Sequence, residues 1–93
     1  MLIGTLNLDL HLPGVASLKE KRFILKSVKI KIRNKFNVSI AEIDYLDKWQ
    51  RAGIGVACVS NERRFIESTL SKVINTIEQD DRIELIGSVS DFL

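Results

Sequence analysis

Every second residue from Leu6 to Leu12 is a leucine, with Asn7, Asp9 and His11 between them. Side chains of an extended strand point alternately to opposite faces, so this run describes a strand with one face buried and the other polar. Leu2 shares the apolar parity and Thr5 the polar one. Such a strand cannot stand alone. Its leucine face needs a covering layer and its backbone needs neighbouring strands. Pro13-Gly14 ends it, because proline removes an amide donor and glycine permits a turn.

The hydrophobic period then changes. Leu18, Leu25, Val28 and Ile32 recur at helical spacing, and Ile24 widens their face. Ser17 followed by Glu20 is a capping-box pattern. The spacing outweighs the strand propensity of the isoleucines, and Asn34 begins the predicted exit. Phe36 to Asp44 reads as a second strand. Its inward face is left open, since both Val38-Ile40 and Ala41-Ile43 fit an inward face around a bulge. Tyr45 to Gln50 forms a polar-aromatic connection. Ala52 to Ser60 is a third strand, with Ala52, Ile54, Val56 and Cys58 inward and Gly53, Gly55, Ala57 and Val59 outward. Asn61 is the expected cap of a second helix, with Glu62 in its first turn. Phe65, Ile66, Leu70, Val73, Ile74 and Ile77 form that helix's apolar side, and it is expected to end near Asp80. The last strand is expected from Arg82, with Ile83, Leu85 and Val89 inward and Glu84, Ile86, Ser88 and Ser90 outward.

The order β-α-β-β-α-β predicts an α+β fold, a ferredoxin-like sandwich. Four antiparallel strands in the order 4-1-3-2 carry both helices on one face, and the βαβ units are expected to be right-handed. Ninety-three residues suit one domain, residues 1–93, and leave no room for a separate catalytic domain.

Charge is distributed unevenly along this plan. Residues 18–35 hold eight basic side chains and one acid, a local charge of +7, against a formal +2 for the whole chain. The remaining residues therefore sum to −5. Lys19, Arg22, Lys26, Lys29 and Arg33 fall 3, 4, 3 and 4 residues apart and form one stripe along the first helix. It spans about 21 Å, long enough to meet several phosphates of a nucleic-acid backbone. Lys21, Lys31 and Lys35 add charge on its flanks. The same pattern also describes an ordinary solvated helix face, but a merely solvated face mixes its signs more evenly. Ser17, Leu18 and Lys19 could surround a phosphate at the helix start, although Glu20 opposes that reading.

The open sheet face argues differently. A sheet that reads RNA carries aromatic stacking platforms on its central strands, and these strands present Thr5, Asn7, Gly53, Gly55 and Ala57 instead. A smooth face of this kind suits a second subunit or plain solvent. Tyr45 and Trp49, beside Lys48 and Arg51, are the aromatic contact candidates; the alternative packs both rings over the edge of the core.

Catalytic patterns are sparse. Asp9 and His11 share a strand face, but no serine nucleophile is tied to them. Glu42, Asp44 and Asp47 bring carboxylates near the hairpin without defining a ligand set for Mg²⁺. No phosphate loop, dinucleotide fingerprint or zinc pattern occurs, so no cofactor and no catalytic residue is assigned. Cys58 sits in an apolar run and reads as a buried thiol; no disulfide is available to a lone cysteine. No apolar stretch is long enough for a membrane span and no leader pattern is visible, so a cytoplasmic location is expected. Attachment of the basic segment to an anionic membrane surface stays open.

Three stretches, Ser17-Leu18-Lys19-Glu20-Lys21-Arg22, Ser39-Ile40-Ala41-Glu42-Ile43-Asp44 and Asp47-Lys48-Trp49-Gln50-Arg51-Ala52, together with Gly55-Val56-Ala57 and Val59-Ser60, resemble the small bacterial YlxP-like family of unknown function. The resemblance covers essentially the full chain. It implies a compact ferredoxin-like domain and, because members are commonly encoded near translation and ribosome-maturation functions, a ribosomal-RNA or ribosome-associated role. It brings no catalytic residues. Two readings result. In one, the protein is an RNA- or ribosome-associated accessory factor, with ribosomal RNA or a ribosomal protein as partner. Lys19, Arg22, Lys26, Lys29 and Arg33 meet phosphates, and Lys48, Trp49 and Arg51 add secondary contacts. In the other, it is a non-catalytic interaction module or homodimeric scaffold.

Overall fold

The computed structural model describes residues 1–93 as β1 (Leu2–His11), α1 (Leu18–Lys35), β2 (Ser39–Asp44), β3 (Arg51–Ser60), α2 (Arg63–Glu78) and β4 (Glu84–Phe92). The four strands form one antiparallel sheet in the order β2-β3-β1-β4, the predicted 4-1-3-2 read from its other edge. Both helices pack on one face, and the fold is the predicted ferredoxin-like α+β sandwich. Leu6, Leu8, Leu10 and Leu12 meet Ala52, Ile54, Val56 and Cys58 beneath Ile24, Leu25, Val28 and Ile32 of α1 and Ile66, Leu70, Val73 and Ile77 of α2. No helix is long and apolar enough to cross a membrane.

The chain's local chemistry accounts for most boundaries. Gly14 adopts φ +74° in the turn that stops β1. The Glu20 N–H donates to Ser17 Oγ at 3.1 Å and caps α1, while Glu20 Oε2 accepts from the Ala16 N–H. The helix continues through Asn34 to Lys35. At α2 the expected Asn61 cap is not formed. Glu62 occupies the cap position without a side-chain bond to the helix, and its N–H donates instead to Ser60 Oγ. Ser60, the last residue of β3, thus captures a donor before Asn61 enters.

Two bulges set the sheet faces. In β2, Ile40 opposes Val56 and Glu42 opposes Ile54, while Asp44 opposes Gly53, so Ile43 is the extra residue. Ile40 and Glu42 therefore face the helices. Ala41 and Ile43 face outward, which closes the question left by the sequence. Ile43 lies over Gly55, where an added Cβ would sit 3.0 Å from Ile43 Cδ1. In β4, Leu10 opposes Leu85 and Asp9 opposes Gly87, leaving Ile86 in the bulge. Beyond it the parity flips. Val89, expected inward, opposes Asn7 on the open face and is 66% exposed. Ser88 and Ser90, expected outward, oppose Leu8 and Leu6 on the helix face.

Gly4 marks the closest approach of α2 to the sheet, because a Cβ built there would lie only 2.2 Å from Ile66 Cγ2. Glycine is needed for that separation. Gly4→Ala is expected to destabilise the fold by about 1–3 kcal/mol through overpacking. The same change made in an Ile66→Ala background should cost clearly less, as a double-mutant cycle by urea denaturation would show.

Candidate functional site

α1 presents its cations on two different faces. Lys19, Arg22, Lys26 and Arg33 are exposed and Lys29 is half-buried, so the stripe forms as its spacing requires. Arg33 is partly committed, its Nη2 donating to the Ile40 carbonyl at 2.9 Å and fastening the helix end to β2. Glu20, the one acid of the helix, is engaged at the cap. Lys31 and Lys35 remain exposed on the flanks.

Lys21 does not belong with them. It is 0% exposed and stands among the core residues of α1. Its Nζ lies 2.8 Å from Glu42 Oε2. It donates to the carbonyls of Tyr45 at 2.8 Å and Arg51 at 3.2 Å, with the Leu46 carbonyl at 3.5 Å. Glu42 Oε2 and Lys21 form a close ion pair, and the ammonium shares its donors with the surrounding carbonyls. Burying an ammonium is tolerable only with such compensation. The flank assignment of Lys21 is therefore corrected: it is a structural cation. Its sequence position carried the signal, three residues after Leu18 and four before Leu25 on the apolar face.

The same lysine positions the loop that carries the secondary candidates. Tyr45, Leu46 and Arg51 bracket residues 46–50, and Lys21 ties their carbonyls to the first turns of α1. Gln50 adds two further links, its Nε2 donating to the Val15 carbonyl and its own carbonyl accepting from the Leu12 N–H. Lys48 and Trp49 are thereby held, exposed, at the N-terminal end of the basic helix. Trp49 is 54% exposed and does not close over the core. Tyr45 is half-buried with φ +57°, a left-handed conformation at the point where the strand leaves for the loop.

Arg51 is less available than the sequence implied. It grips Asp9 through the Nε–Nη2 edge of its guanidinium, at 2.8 to 3.3 Å, and stacks 4.5 Å from the Tyr45 ring centroid. The Asp9 hydrogen bond holds its proton even more firmly than usual. Asp9 thus pairs with Arg51, while His11 lies 3.7 Å from Glu84. The two are not joined as a catalytic pair. The hairpin carboxylates are also divided: Glu42 points to the helices, whereas Asp44 is on the other face and accepts from the Tyr45 N–H. No three His, Cys, Asp or Glu side chains converge. Cys58 is buried, and desolvation raises its pKa against a hydrogen bond with Thr69.

Two features escaped the sequence reading. Arg82 pairs with Asp80 at 2.8 Å and donates to Ser27 Oγ on α1 at 3.0 Å, which lowers the Asp80 pKa through its hydrogen bond. Phe23 is 70% exposed on the outer side of α1. Its place off the core face was legible from its spacing to Ile24 and Leu25.

A family model described as a protein of unknown function (DUF503) matches residues 3–89. The chain belongs to that family. It is also 42% identical over 83 residues to the uncharacterized protein YlxP of Bacillus subtilis (strain 168), covering 89% of this chain and 90% of that protein. Within this DUF503 chain the three stretches that resemble YlxP-like proteins meet in one place. Ser17–Arg22 supplies Lys21, Ser39–Asp44 supplies Glu42, and the third stretch supplies the Arg51 carbonyl.

Lys21→Met is expected to cost about 3–5 kcal/mol, because it strands Glu42 inside and removes the loop's donor. A Lys21→Met/Glu42→Leu variant should recover part of that loss in urea denaturation. If the double variant is no more stable than the single one, the carbonyl bonds carry the effect.

Proposed function

We propose that this protein is an RNA- or ribosome-associated accessory factor that holds a phosphate backbone against the outer face of α1. The observation that carries this reading is the continuous row of exposed Lys19, Arg22 and Lys26 with half-buried Lys29, Arg33 at its end and the helix's single acid turned to the cap. Phosphate contacts of this kind position a nucleic acid by charge and charge-assisted hydrogen bonds. Lys48 and Trp49 stand exposed on the loop that Lys21 ties to the start of the helix, while Arg51 serves mainly to brace that loop through Asp9. The role is non-catalytic and cytoplasmic in this reading.

The open sheet face supports a second reading, a protein-interaction or homodimeric scaffold. A groove of about 360 Å³ runs between Thr5, Asn7, Ala41, Ile43 and Gly55, and Val89 stands exposed on the same face. Light scattering behind size-exclusion chromatography tests it. A monomer at low micromolar concentration counts against a stable homodimer.

Ribosomal-RNA binding should fall steeply with salt, with a log–log slope of about −2 to −3 for three or four phosphate contacts. The variant R22E/K26E/K29E should lose most of that affinity while keeping its circular dichroism spectrum, since none of the three side chains lies in the core. Unchanged affinity in the folded variant, or binding indifferent to salt, rejects the basic-face mechanism.

A further inference from the structure

We infer that Phe23 is a stacking platform along the edge of the basic stripe, and that the nucleic acid taken there is single-stranded RNA. This rests on the basic-face reading above and specifies its ligand. Apart from the two chain ends, Phe23 is the most exposed large apolar side chain of the protein, at 70%. A phenylalanine so placed forgoes the burial that normally stabilises it. Ile30, also exposed, stands two turns further on and almost directly in line. Lys19 and Lys26, four residues before and three after Phe23, flank it on one side, and Arg22 extends that flank. On the other side Ser27 holds the guanidinium of Arg82.

An apolar ring with a row of cations along one side fits a ligand that alternates negative charge with flat apolar surface. Unpaired nucleotides have that composition, and a ring among phosphate-binding cations is how single strands are held without sequence readout. An RNA duplex keeps its base faces stacked inside and offers Phe23 no partner. A helix lying in a bilayer surface buries a broad apolar face. The broad apolar face of α1 is already occupied by the core, which leaves only Phe23 and Ile30 outward.

The test compares wild type, Phe23→Ala and Phe23→Trp on four probes at fixed low salt: a short unstructured RNA, an RNA duplex, inorganic polyphosphate and vesicles of anionic phospholipid. Wild type should prefer the unstructured RNA. Phe23→Ala should weaken that binding by about 5- to 100-fold, with polyphosphate affinity and the salt slope unchanged. Phe23→Trp should retain it. RNA binding unaffected by Phe23→Ala, or duplex bound as tightly as single strand, overturns the stacking platform and leaves the basic-face reading standing. Vesicle binding that is tighter than RNA binding and depends on Phe23 overturns it in favour of a membrane surface. A wild-type protein that binds none of the probes overturns both readings.

Discussion

A lysine ammonium with no access to water must be met by charge and by acceptors, and in this fold that requirement joins three separate parts of the chain. Lys21 descends from α1 to Glu42 on β2 and to the carbonyls at both ends of the β2–β3 loop. Each partner is needed for a different reason. Glu42 balances the charge, and the carbonyls accept the hydrogens that the carboxylate geometry leaves over. An apolar residue at position 21 would pack against the sheet equally well but would leave the Tyr45 and Arg51 carbonyls to find other donors. The buried ion pair is thus better understood as a device that fixes where the loop sits than as a large source of stability.

The bulge in β2 is what makes this geometry reachable. Glu42 must point toward the helices to meet Lys21, and strict alternation would then turn Ile43 outward and Asp44 inward. Inserting Ile43 as an extra residue returns Asp44 to the open face, where it can receive the Tyr45 N–H. Gly53 and Gly55 on β3 clear the space this takes: Cβ atoms there would lie 2.6 Å from Asp44 Cβ and 3.0 Å from Ile43 Cδ1. Their small size, which as sequence suggested a smooth sheet face, serves the crowding of the neighbouring strand.

This also explains which features were legible in advance. The inner faces of β1 and β3 and the apolar side of α2 follow from periodicity, because each is a regular element packed on one side, although Phe65, counted with that side, is 47% exposed. The strand order followed from the order of elements alone. Val89 did not, since one extra residue at Ile86 reverses the parity of everything after it and a register defect leaves no trace in composition. The Asn61 cap failed because the helix starts one residue later, with Glu62 at the cap position and its N–H held by Ser60 Oγ. Lys21 was miscounted because its charge argued for the surface while its spacing argued for the core, and the spacing was correct. Trp49 was equally ambiguous. Its exposure depends on how the loop is anchored, which becomes visible only when the carbonyl partners of Lys21 are known.

Removing Lys21 from the outer charge of α1 changes the shape of the candidate surface more than its size. Lys21 and Glu42 neutralise each other inside, and Arg33 spends a donor on β2. Within the stripe the freest cations are therefore Lys19, Arg22 and Lys26, in the first half of the helix, while Lys31 and Lys35 stay exposed on its flank. That is the half to which Lys21 ties the loop bearing Lys48 and Trp49, and it contains Phe23. The buried lysine thus organises the surface that its exposed neighbours present. An even row of charge along a helix would bind any polyanion lengthwise. The same helix half carries exposed Phe23, and the loop tied to it carries exposed Trp49, so the proposed single-stranded ligand would find apolar rings as well as charge there.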